Sequence, residues 1–417
     1  MPSIARISLR HSTKFVDEAK LPMMMLPSSR NRVVSTVLPL LAALFVPLCT
    51  PLEGVLISSS SAQTQPPLPE LRLPPRLRLG QPERIYVPHG SRGARGLLIA
   101  SPGPADLSKL LAKGFEIAHF EIQGPLGLAV THVIPPPAIS AEHALKLLQT
   151  ELTASVYLNH IYSIATTEAP SPTHHLNGMQ GSSCTPERCY GASLVRWHDQ
   201  LSACAKDVRI GLIDTAVDAQ HPNLSGITLH LGSFADRSNH EPHWHGTAVL
   251  TLLAGNAQSN VPGLVPDAEF FVASVIDQHN KRGLVTDTAA LLKALHWMEQ
   301  SKVQIINLNL SGPRDELLEQ TIAMLSRNGT VFVAPAGNRG LAAPPSYPAA
   351  YQDVIAVSAV DQRSRIYADA NQGPYIDFAA PGIGLWTALP RTSYGYVCQT
   401  DRNVDPRSAS NLDPSIA

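Results

Sequence analysis

Little in this chain points to a charged partner. Lys and Arg number 32 against 33 Asp and Glu, a formal net charge of −1. That balance supplies no field for nucleic acid or an anionic membrane surface. There is no internal repeat and no low-complexity run beyond short Pro and Ser patches. With 44% hydrophobic and 16% charged residues, the composition is that of a globular protein and not a disordered one. No D-x-D-x-D-G set is present, so no calcium loop and no metal cofactor is expected. Cysteine is sparse, at five residues. Long apolar runs are nearly absent. The exception, VVSTVLPLLAALFVPL at 33–48, is short for a membrane span and is broken by Pro39 and Pro47.

That run follows Arg30 and Arg32 and precedes Ser60-Ser61-Ala62, an A-x-A-like cleavage signal. Residues 1–62 therefore read as an export leader, with a membrane anchor as the alternative. The expectation is a secreted or periplasmic protein with no membrane contact once the leader is removed. Cys49 leaves with the leader. Cys184, Cys189, Cys204 and Cys398 remain, and four cysteines in an exported chain allow three pairings. Cys184, Cys189 and Cys204 are close in sequence, so one local disulfide is expected there. A metal site is the rival reading, but C-x4-C lacks a matching second pair.

The rest divides by pattern. Residues 63–92 are rich in Pro and Arg and form a linker. Residues 93–165 alternate short apolar runs (GLLIA, FEIAHFEI, LGLAVTHVI, SVYLNHIY) with the helical stretches DLSKLLAKG and SAEHALKLLQTE, the second with a Ser N-cap. They predict a small α+β unit, and 166–183 is an exposed polar connector. From 184 to 390 the runs VRIGLID, AEFFVASV, VQIINLNL, TVFVAPA and DVIAVSA alternate with three helical patterns. Apolar strands buried on both faces and alternating with helices predict an α/β fold, a parallel sheet flanked by helices. The active groups of such a sheet sit at the carboxyl ends of its strands.

Three such ends carry polar residues. Asp214 closes the strand of IGLIDTAVDAQHPNL, His245 opens the helix of HWHGTAVLTLLAGN, and Asn338 follows the strand of VFVAPAGNRG. Singly, these read as a turn Asp, a packing His and an Asn-Gly turn. Together, D-T-x-V-D, H-G-T and A-G-N in this order strongly resemble the subtilisin-like serine peptidase family, peptidase S8. HPNL, INLNLSGP, YPAAY and DFAAPG extend the resemblance over roughly 184–390. It implies a serine endopeptidase acting on polypeptides as a monomer. Asp214 would orient His245, His245 would be general base and then acid, and Asn338 would donate to the oxyanion. Asn309, Leu310, Ser311 and Gly312 would form the edge that pairs with substrate, although N-L-S-G departs from the commoner S-L-G-G. His243 is read as a loop residue. The resemblance also makes 93–165 a propeptide that assists folding and blocks the cleft, an unrelated accessory domain being the alternative.

One motif of the family does not appear. Where S-G-T-S would stand, this chain reads Cys398-Gln399-Thr400-Asp401, and the atypical tail 391–417 lacks the apolar helix that should follow. The nucleophile is left unassigned, with Ser393 of Thr392-Ser393-Tyr394 as the other nearby candidate. The expectation is a peptidase reading broken before its serine motif, and hence an inactive chain. The alternative is a non-catalytic peptide-binding relative.

Overall fold

A computed structural model describes residues 94, 96–123, 125, 127, 129–164, 190–235, 241–276, 283–391 and 396–398. The leader, the linker, the connector, Cys184, Cys189, Ser393 and the stretch from Gln399 onward lie outside the described residues, as does the side chain of Cys398.

The N-terminal unit is a four-stranded antiparallel sheet carrying two helices. Its strands are β1 (Leu97–Ala100), β2 (Glu116–Gln123), β3 (Ala129–Ile134) and β4 (Ser155–Leu158), in the order β2-β3-β1-β4. Its helices are α1 (Pro104–Ala112) and α2 (Ala141–Glu151), the latter capped by the Ser140 hydroxyl, which accepts from the His143 N–H. Side chains alternate across a strand, so Leu97 and Ile99 face one way and Leu98 the other. Leu97 and Ile99 pack with Leu110, Val133, Ala144 and Leu148 in the unit's own core. Leu98 and Val130 pack with Ala289, Leu292 and Leu317 of the larger unit. Covering on both faces explains why all four residues of β1 are buried.

The run SVYLNHIY, read as one strand, is two. β4 stops at Leu158 and β5 (Ile161–Ser163) pairs antiparallel with β9 (Val285–Asp287) in the larger unit. The break has a local cause. The Asn159 side-chain oxygen accepts from the Ala289 N–H, and His160 Nδ1 lies 2.9 Å from Asp315 Oδ2. These two side chains turn the backbone out of the first sheet.

The larger unit is built on seven parallel strands. Beyond β6 (Arg209–Asp214) come β7 (Thr228–Ser233), β8 (Glu269–Ser274), β10 (Ile305–Leu308), β11 (Val331–Pro335), β12 (Val354–Val360) and β13 (Phe378–Pro381). Their order is β13-β12-β11-β10-β6-β8-β7. A short helix, α3 (Tyr190–Leu194), precedes them, and α4 (Trp244–Ala254), α5 (Thr288–Gln300) and α6 (Glu316–Arg327) connect them. Ile210 and Leu212 point to the core that also holds Leu250 and Ala254 of α4. Ile213 points to the opposite core with Leu291, Met298, Ile306 and Phe332. The predicted α/β class is the observed one. Asp287 and Asp315 cap α5 and α6 by accepting from Ala290 N–H and Leu318 N–H. A final hairpin, β14 (Trp386–Ala388) with β15 (Tyr396–Cys398), follows the sheet.

Candidate active site

Strand order assembles the site. β6, β10 and β11 are neighbours and run parallel. Their carboxyl ends therefore deliver Asp214, Asn309 and Asn338 to one end of the sheet, the end where such folds place their chemistry.

Asp214 is the last residue of β6 and is fully buried. An ionised carboxylate out of water needs donors. It has the Asn309 side-chain amide on Oδ2 at 2.9 Å, the Thr215 backbone N–H on Oδ1 at 2.6 Å, and His245 Nδ1 at 2.8 Å from Oδ1 and 3.0 Å from Oδ2. A carboxylate only accepts, so His245 Nδ1 carries the proton and Nε2 is left with the lone pair. Burial alone would push the His245 pKa down. The charge and hydrogen bond of Asp214 overcome it and raise the pKa. This pair is built to hold a proton on an imidazole.

His245 sits in the first turn of α4. The Gly246 N–H donates to the Thr215 hydroxyl at 2.9 Å. A Cβ on Gly246 would stand 2.7 Å from that hydroxyl and 2.8 Å from the Thr215 carbonyl oxygen, so only glycine allows this approach. His243 is not a loop bystander. It is the N-cap of α4, its Nδ1 accepting from the His245 N–H at 3.2 Å. Burial, and then the neighbouring His245, push its pKa down to about 4, which keeps Nδ1 available as an acceptor at neutral pH. Among the described residues, no three His, Cys, Asp or Glu side chains gather as metal ligands.

Asn309–Gly312 forms an edge, and it is occupied. Ser163 N–H donates to Ser311 O and Ser311 N–H donates to Ser163 O, both at 2.9 Å. Ile164 N–H donates to Leu284 O on the other side at 3.2 Å. Residues 161–164 thus lie between two chain edges, as an extended peptide would. Tyr162 is fully buried and packs on Gly312, where an added Cβ would stand 2.4 Å from the tyrosine ring. Leu310 is buried behind the edge.

Asn338 is exposed, in the loop after β11. Cys204 is buried and disulfide-bonded. Two contacts escaped the sequence reading. Asp218, the second Asp of D-T-x-V-D, is buried and receives the Arg391 guanidinium, with Nε 3.0 Å from Oδ2. That contact holds its carboxyl below the usual range against the opposing effect of burial. The Thr387 hydroxyl donates to Ala248 O at 2.8 Å, fastening β14 to the helix that carries His245. Neither was legible, because Arg391 and Thr387 lie far along the chain from their partners.

A parallel sheet that presents this Asp–His pair, an edge for extended peptide and an exposed Asn at its carboxyl end is a subtilisin-like α/β fold. Comparison with known proteins agrees. Residues 205–404 match the model of the subtilase family. Subtilisin DY of Bacillus licheniformis is 30% identical over 193 residues, which cover 45% of this chain and 69% of that protein. The major intracellular serine protease of Bacillus subtilis strain 168 is 28% identical over 207 residues, covering 47% and 64%. The fold matches the crystal structure of fervidolysin from Fervidobacterium pennivorans, a keratinolytic enzyme related to subtilisin, with a TM-score of 0.56 at 18% identity, over 72% of this chain and 48% of that one. The chain belongs to the subtilase family. It spans less than two thirds of the length of the Bacillus subtilis relative.

Proposed function

We propose that the chain is the precursor of an exported serine endopeptidase, with residues 93–165 as a propeptide seated in its own substrate groove, and that this chain does not turn over. The dyad supports the chemistry. His245, held in one tautomer by Asp214, is a general base toward a hydroxyl and then an acid toward the leaving amine. Asn338 is the oxyanion donor. The reciprocal Ser163–Ser311 hydrogen bonds are the observation that carries the reading, because they use the edge as a substrate backbone would. Asp401 stands where the family's serine is expected, and a carboxylate there cannot be activated by a neighbouring imidazole as a hydroxyl is.

The purified chain is expected to leave casein intact and to take up no fluorophosphonate probe. Labelling of Ser393 would overturn the inactivity. The groove is tested by Ser163→Pro, which removes the N–H donated to Ser311. That variant should bind a fluorescent extended peptide that the parent does not bind. No binding by either would sink the peptide groove.

A further inference from the structure

Asn371 lies between β12 and β13 and is fully buried, with its side chain also bonded to Tyr375, and it holds the loop that carries the exposed Asn338. Its backbone N–H donates to Gly337 O at 2.9 Å, and its side-chain Oδ1 accepts from the Arg339 N–H at 2.8 Å. These two bonds hold the residues immediately before and after Asn338. Flanking them, the Tyr375 hydroxyl donates to Ala336 O at 2.7 Å and the Gly340 N–H donates to Asp369 O at 2.7 Å. Gly337 has φ of +105°, and a Cβ there would stand 2.5 Å from Asn371 Nδ2. The loop is therefore pressed against Asn371 at a distance that only glycine permits. The backbone on both sides of Asn338 is fixed while its own side chain faces solvent.

We infer that Asn371 is the positioning residue for Asn338, the clamp that keeps the oxyanion donor preorganised. The inference rests on reading Asn338 as that donor. A dipole stabilises developing charge only if it is aimed beforehand, and an Asn on a loose loop is not. The clamp must offer an acceptor of short reach to the Arg339 N–H inside a buried space, and asparagine does so without placing a charge there.

The test needs no turnover. In the full chain, NMR relaxation of the Asn338 side-chain amide and hydrogen exchange at the Arg339 amide are compared between the parent, Asn371→Ala and Asn371→Asp. Asn371→Ala should set the Asn338 amide free and speed Arg339 exchange by about fivefold to tenfold, the loss of one hydrogen bond. The amides of β6, β10 and β11 should stay unchanged. Asn371→Asp, kept neutral by protonation in this buried site, retains a carbonyl acceptor for the Arg339 N–H and should restore both signals. Asn371→Ser, too short to reach Arg339, replaces Asn371→Ala should that variant not fold. An Asn338 amide as ordered in Asn371→Ala as in the parent overturns the inference, and so does an Asn371→Asp as loose as Asn371→Ala. Whether casein is cut bears only on the proposed function.

Discussion

At the scale of the residue, charge and burial decide most of what this site does. His245 is the clearest case, because its pKa is raised by Asp214 in spite of burial. Its pairing stabilises the fold fully below the free imidazole value, about 6.5, and that contribution fades as pH rises through the folded value. Asp214→Asn removes the charge and keeps the shape. The His245 ring should then titrate below about 6.5, because only burial is left to act on it. Ring-nitrogen NMR against pH reads this directly, and a midpoint still above that of free imidazole would contradict it. Asp218 obeys the opposite sign. Arg391 holds its carboxyl low, so the pair stabilises above the ordinary carboxylate value and fails as pH falls through the folded one. Arg391→Leu should cost about 1–3 kcal/mol at neutral pH. Denaturant midpoints at neutral and acid pH should show that deficit shrinking as Asp218 protonates.

Elements show what could be read in advance and what could not. The parallel strands were legible because they are apolar runs; β6 and β8 are buried on both faces, while β10 and β11 bury every other side chain and leave the rest half-buried, and β12 mixes buried with half-buried side chains. The edge strand β7 was missed, since TLHLGS has exposed or half-exposed side chains throughout. SVYLNHIY was read as one strand because period alone does not reveal that Asn159 and His160 have partners at residues 289 and 315. Of the candidate site, Asp214, His245 and Asn338 stand out in the sequence as motifs. The clamps Thr215, Asp218 with Arg391, and Asn371 do not, because what defines them is contact across long stretches of chain. β5 carries its own prediction. Tyr162 is fully buried against Gly312, so Tyr162→Ala should cost about 3–5 kcal/mol, the usual figure for emptying an aromatic site. Limited proteolysis should then cut between the two units faster than in the parent. Unchanged cutting would mean that the ring does not anchor the strand.

For the molecule as a whole, the joint between the units is an apolar face beside a polar seam, where Asn159 and His160 meet Ala289 and Asp315. Leu98 and Val130 meet Ala289, Leu292 and Leu317 there, while Leu97 and Ile99 serve the small unit's own core. Leu98→Arg should therefore part the units without melting either. Calorimetry would show two transitions where the parent shows one, and a single transition at the parent's temperature would refute it.

The position of β5 in the chain has a temporal consequence. Residues 161–164 are synthesised before Leu284, β9 and Ser311, which bond them. A ribosome releases the occupant first and the walls afterwards. The chain edges at Leu284 and Ser311 therefore close on a segment already made, and they are paired as soon as they fold.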